Sequence, residues 1–396
     1  MPPAGTVSTD SQTADAPATA DQGAAGRPAA PAAAAPSGAT PSGAAPSAAA
    51  PGAPARSVPT QSVPAPSAAA PASVPAPSAA APASVPAGAV TDPREVARIS
   101  AEILGLLLPH RRASDPEVHA TPADFPLQLE QLADFLTTGD PVLFTLPGFP
   151  CKSPNPAKVL SHLPDEGERL SLTFLNGLCE EIGKLYEPGA QILICSDGHI
   201  FGDLIHVPDD HIDQYSDELS AMIEREGLTH LATYDLRAVL GDLPFDEKRA
   251  RVHDRYAPTR EELREQVMTD EETLKLYRGI TRFLTEDTIG FEGSRSALQR
   301  ECRRRAYGVI QRSRAWGDLI AEQHPRSFRL SIHPQKAGVL KFGIRLLEAA
   351  DAWMTPWHSS VLHRPDGRWE LMRSEEAARV GRLVELGGRP SHYETS

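Results

Sequence analysis

The chain has 396 residues and a formal net charge of −13 at neutral pH. An acidic balance argues against general nucleic-acid binding, because phosphate backbones select basic surfaces. Four scattered cysteines without a CxxC pair suggest neither a zinc site nor a disulfide framework, and no run of about 18 apolar residues marks a membrane span.

Residues 1–91 read as a disordered tail. Met1 to Val90 consists almost wholly of Ala, Pro, Ser, Gly and Thr, with no aromatic residue. Such a segment cannot bury enough apolar surface to offset the entropy of ordering its backbone. The sequence SVPAPSAAAPA occurs twice in succession, at Ser62–Ala72 and Ser73–Ala83. Its prolines forbid a continuous helix and favour an extended linker. Met1–Ala20 lacks the basic and apolar regions of a signal peptide and carries Asp10 and Asp15, so a cytoplasmic protein is expected.

Residues 92–396 are expected to form the catalytic domain. Pro93–Leu108 and Phe125–Leu136 carry apolar residues at helical spacing, and Val142–Leu146 suits a buried strand. A loop with four prolines, Pro147–Pro156, follows. Glu166–Tyr186 is the clearest helix, ended by Pro188-Gly189, and Gln191–Cys195 is a strand that delivers Ser196-Asp197-Gly198 at its carboxyl end. Helices are expected at Arg260–Val267, Glu271–Leu284 and Ser294–Trp316. Strands are expected at His230–Tyr234, Phe328–Ile332, Val339–Ile344, His358–Leu362 and Arg368–Met372. This alternation predicts an α/β, Rossmann-like fold: a partly parallel sheet with helices on both faces and a strand-rich, antiparallel extension at the C-terminal end.

Three constellations carry chemistry. Asp197 ends a strand where open α/β sheets bind ligands, and its carboxylate suits an α-ammonium group or its proton. Asp203, in Phe201-Gly202-Asp203-Leu204, would make a carboxylate pair with it. The helix from Ser294 holds seven arginines to one acid by Arg314; Arg300, Arg304, Tyr307, Gln311 and Arg314 share one side, as a phosphate site would require. The alternative is a solvated basic face. Third, Asp351–His358 combines Trp353, Trp357 and His358 like a pocket wall, with His333 similarly placed at the end of another strand.

Several motifs in order resemble the PvcA/dityrosine family across roughly Asp92 to Tyr393. They are Phe149–Lys158, His162–Asp165, Tyr186–Ala190, Ser196–Gly198, Tyr277–Ile280, Gly293–Arg295, Arg345–Leu347, Thr355–His358 and Gly388–His392. His358-Ser359 departs from the family's His-Gly pairing. Members of that family make isonitriles from tyrosine, tryptophan or related amino acids, with ribulose 5-phosphate supplying the carbon. The resemblance implies the same reaction here, with no cofactor or metal, and an Fe(II)/2-oxoglutarate oxygenase as downstream partner. Asp197, His358 and His333 are then the expected catalytic groups. Lys152, Ser153, Asn155, Arg295, Arg300, Arg304, Tyr307, Lys341, Arg345 and Trp357 are the expected substrate-binding groups. An enzyme that stops at an N-formyl-type product, and a non-catalytic ligand-binding α/β protein, are the alternatives.

Overall fold

The computed structural model describes residues 88–114, 119–349, 351 and 354–395. Most of the Ala/Pro-rich segment, and Trp353, lie outside the described residues. The last residues before the first helix belong to the fold: the Val90 N–H donates to the Leu136 carbonyl, and Asp92 caps the helix by accepting from the Arg94 N–H.

The helices run α1 (Pro93–Leu107), α2 (Pro126–Thr138), α3 (Glu166–Leu185), α4 (Gly198–Ile205), α5 (Asp209–Arg225), α6 (Leu236–Leu240), α7 (Phe245–Tyr256), α8 (Arg260–Thr269), α9 (Glu271–Asp287), α10 (Arg295–Gln323) and α11 (Ser374–Val380). The strands are β1 (Val142–Pro147), β2 (Ala190–Cys195), β3 (Leu231–Tyr234), β4 (Phe328–Ser331), β5 (Phe342–Gly343), β6 (Glu348–Ala349), β7 (Ser360–His363), β8 (Trp369–Met372), β9 (Gly381–Leu386) and β10 (Arg389–Thr395).

Strands β1 to β5 form one parallel sheet in the order β3-β2-β1-β4-β5. Successive residues of a strand point to opposite faces, and the two cores divide accordingly. Ile192 and Ile194 of β2 join Phe144, Phe328 and Phe342 against α1, α2 and α3. Leu193 and Cys195 join Trp316 of α10, with α4 and α7. Helices therefore cover both faces. The C-terminal strands form a separate sheet in the order β6-β8-β7-β10-β9. It is mixed rather than antiparallel: β7–β8 and β9–β10 are antiparallel, while β6–β8 and β7–β10 are parallel.

Two expected strands differ in a way that matters. His358 does not open one; it closes a 3-10 turn, Pro356–His358, ahead of β7. Val339–Ile344 yields only the two-residue β5, where Gly343 passes so close to Arg112 that a Cβ there would lie 2.2 Å from the Arg112 carbonyl oxygen.

Candidate active site

The strand order reverses between β1 and β4, and ligands of open α/β sheets bind beyond the carboxyl ends of the strands at such a point. A cavity of about 760 Å³ lies there. The segment after β1 (Pro147–Lys152), Asp197 after β2, and Leu330–Gln335 at the end of β4 build its floor. One face of α9 forms a wall, with Leu276, Ile280 and Phe283 spaced about one helical turn apart. Phe201 and Ile205 of α4 and Ile310 of α10 continue this apolar surface.

Asp197 is 9% exposed and opens α4 without capping it. Among the described residues no ion pair or side-chain hydrogen bond holds its carboxylate. Burial pushes its pKa up to about 7. The following residue must be glycine: a Cβ on Gly198 would lie 2.1 Å from the Pro150 carbonyl oxygen. Ser196 ties the same corner to the β1 loop by donating from Oγ to the Phe149 carbonyl at 3.0 Å. Phe149 has φ 53°, a conformation rare for a bulky residue, and packs on Trp357 at 5.0 Å between ring centroids.

The raised pKa has a stability consequence. Unfolded, the carboxyl ionises near 3.8; folded, it keeps its proton to about 7. Folding therefore loses stability as pH rises through that window and is unaffected below it. Asp197→Asn is expected to stabilise the protein at pH 8 by up to about 4 kcal/mol and to change little at pH 4. Thermal melts at both pH values check this; an equal change at both would contradict it.

His358 sits between Phe283, at 4.7 Å between ring centroids, and Trp357. Thr355 Oγ1 lies 3.2 Å from its Nδ1, which leaves Nε2 for a reactant. Burial, then Lys158, His333 and Lys152, hold its pKa down to about 3. His333 is held near 4 by burial, Arg112 and Lys341. Both imidazoles are neutral at physiological pH. Ser359, in place of the family's glycine, is accommodated: φ is −157° and its Oγ donates to the Thr355 carbonyl at 2.6 Å.

Lys152 lines the cavity, yet its three N–H donors are consumed. Nζ lies 2.8 Å from Asp165, 2.7 Å from Glu168 and 3.0 Å from the Pro356 carbonyl, all fully buried. It braces the β1 loop against α3 and has no donor left for a phosphate. Ser153 also lines the cavity, with its Oγ donating to Asp287 at 2.8 Å. Asn155 lies off the cavity and donates to the Glu286 carbonyl at 2.8 Å. These bonds clamp the β1 loop to the end of α9. Lys158, which sequence reasoning passed over, reinforces the clamp through Glu286 at 2.9 Å and Asp287 at 2.6 Å.

The expected arginine face lies elsewhere. Arg295, Arg300 and Arg304 are exposed and do not line the cavity; Arg304, 63% exposed at its side chain, pairs with Glu301 on its own helix. Ser294 caps α10 by accepting from the Ala297 N–H. Tyr307 packs on Tyr277, and Arg345 pairs with Glu348. Buried Arg305 and half-buried Arg312 of α10 are braces: Arg305 donates to the Leu204 carbonyl, and Arg312 pairs with Asp203. Asp203 is therefore no partner of Asp197. Arg300→Ala and Arg304→Ala are expected to leave apparent substrate affinity within about twofold, as surface changes do; a tenfold loss in either would contradict this.

Of the expected basic face of α10 only Arg314 reaches the cavity, and the other cations that line it come from other segments. Lys341 was expected; Arg112, Lys275, Arg282, Lys336 and Arg373 were not. Arg112 spends two donors on the Ile332 and Met354 carbonyls, and Arg314 bonds Gln266 and Thr273, so each guanidinium keeps further N–H groups. Among the described residues no helix is long and apolar enough to cross a membrane, and no group of three metal-ligating side chains converges.

A pocket at the switch point of a parallel sheet, holding a desolvated carboxylate, two neutral histidines, cationic side chains and an apolar wall, defines a small-molecule enzyme of the Rossmann-like class. The pyoverdine/dityrosine biosynthesis protein family profile matches residues 132–384. The L-tyrosine isonitrile synthase of Pseudomonas aeruginosa is 47% identical over 304 residues, covering 73% of this chain and 91% of that protein. The L-tryptophan isonitrile synthase AmbI2 of Fischerella ambigua is 39% identical, covering 74% and 91%. The crystal structure of the PvcA protein from Pseudomonas aeruginosa superposes with a TM-score of 0.71 at 46% identity, covering 75% of this chain and 99% of that one. The chain belongs to the pyoverdine/dityrosine biosynthesis family, and it is an enzyme of the isonitrile synthase type.

Proposed function

We propose that this enzyme converts the α-amine of an aromatic L-amino acid, tyrosine or tryptophan, to an isonitrile, with ribulose 5-phosphate as carbon donor. The observation that supports this most is that one cavity is lined both by apolar side chains (Leu276, Ile280, Phe283, Phe201) and by cations (Arg112, Arg314, Lys341), with Asp197, His333 and His358 also lining it. An aromatic side chain suits the wall, and a phosphate suits the guanidinium forks. Asp197 receives the ammonium group. With its pKa near 7 it exchanges a proton at working pH, as attack on a ketone requires. His358, with His333, moves the later C–H and phosphate-departure protons as a neutral imidazole. The isonitrile then passes to an Fe(II)/2-oxoglutarate oxygenase.

A panel of amino acids incubated with ribulose 5-phosphate, read by isonitrile infrared absorption and by mass, tests the reading. Aromatic substrates are expected to give isonitriles. N-formyl products instead would favour the alternative chemistry, and no product from any amino acid would remove the proposal.

A further inference from the structure

Lys341, which is partly exposed, differs from Lys152 and Lys158, the buried lysines of the cavity. Lys152 and Lys158 are each held by two carboxylates. Lys341 forms no ion pair or hydrogen bond among the described residues, although burial surrounds its amine. The register of β4 and β5 pairs Leu330 with Phe342. One step back, Arg329 and Lys341 therefore lie side by side, about 4.8 Å apart across the ladder. Both reach towards α10. Arg329 Nη2 donates to the Gly317 carbonyl at 2.9 Å, and Lys341 Nζ lies 3.9 Å from where a Cβ on Gly317 would sit. Arg314, one turn earlier on α10, adds a third cation, while Asp318, the single carboxylate that favours the ammonium, is exposed.

Burial, then Arg329 and Arg314, pull the Lys341 ammonium down to about 8, against Asp318. At neutral pH such an amine is present in its unprotonated form on the order of 10² times more than an ordinary lysine. A desolvated lysine beside other cations is the setting in which an amine becomes a nucleophile towards carbonyl carbon.

We propose that Lys341 is a catalytic nucleophile that captures the carbonyl carbon of the ketose phosphate as a Schiff base and then hands that carbon to the amino acid. This inference rests on the sugar-phosphate reading above. The neutral Nζ adds to the carbonyl carbon, and the C=O electron pair moves to oxygen. That oxygen leaves as water with the two protons shed by Nζ. The deprotonated amine of the amino acid then adds to the same carbon, and the bond to Lys341 breaks. Lys341 recovers its two protons from the incoming nitrogen, and the imine remains on the substrate. No oxidant or reductant enters. The phosphate of the donor supplies an anion for Arg314, which lines the same cavity.

The test uses the full chain with ribulose 5-phosphate and sodium borohydride, without amino acid, followed by intact-mass measurement and peptide mapping. One reduced sugar-phosphate adduct is expected, on Lys341, with trapping that rises through about pH 8. Lys341→Arg keeps the charge; it is expected to fold as the parent does, to show no adduct, and to lose at least about 100-fold in turnover. Isonitrile turnover by the parent without an adduct, or an adduct spread over the exposed Lys184, Lys275 and Lys336 and unchanged in Lys341→Arg, would overturn the lysine's role while leaving the donor intact. No turnover with ribulose 5-phosphate in the parent would sink the donor and this proposal together.

Discussion

Asp197→Asn is expected to fold, to match or exceed the parent in stability at pH 8, and to lose about 10²–10⁴-fold in turnover. The asparagine amide fits the same corner beside Gly198 but can neither pair with an ammonium nor accept its proton. In the parent, the acid limb of the activity profile is expected near pH 7, where Asp197 ionises. The variant should lack that limb. His358→Gln is expected to fall on the same scale while Thr355 and Phe283 still hold the side chain. Near-normal turnover in both variants, with His333→Gln inactive, would move the proton chemistry to the end of β4.

Lys152→Met is expected to cost about 3–5 kcal/mol of stability, because it leaves Asp165 and Glu168 buried without their cation. That is a large part of a typical domain's 5–15 kcal/mol. Burial pushes the Asp165 carboxyl above the ordinary carboxylate range, against the pull of Lys152. Burial alone would lower Lys152, but Asp165 and Glu168 hold its ammonium above the ordinary lysine range. Both acids also cap α3, with Asp165 accepting from the Gly167 N–H at 2.9 Å and Glu168 from the Asp165 N–H at 3.0 Å. Adding Glu168→Gln to Lys152→Met should recover part of the loss, since one buried charge is removed. Denaturant melts measure it. A Lys152→Met variant that melts like the parent but binds sugar phosphate poorly would make this lysine a ligand after all.

The parallel sheet was legible because its strands are short apolar runs bounded by glycine and proline, and their carboxyl ends carry Asp197 and His333. The cavity's cations were less so. Sequence displays the density of arginine on α10, but density does not report direction. The helix turns Arg300 and Arg304 to solvent and spends Arg305 and Arg312 on α4. Arg112 and Lys341 lie far apart in the sequence and meet only because β5 is laid beside β4 and against the Arg112 segment. Lys152 was found by motif, but its partners lie 13 and 16 residues on, at the start of α3. Those carboxylates are ordinary capping residues in sequence. A histidine opening a strand and one closing a 3-10 turn also look alike in sequence, which is why His358 was misplaced by a few residues.

The most direct measurement of the central claim is carbon transfer. The enzyme is incubated with tyrosine and uniformly ¹³C-labelled ribulose 5-phosphate, and the product is read by carbon NMR and mass. The account predicts an isonitrile whose terminal carbon, and no other, carries the label. An unlabelled isonitrile, or labelled sugar phosphate recovered intact beside unchanged tyrosine and every other aromatic amino acid, would contradict it.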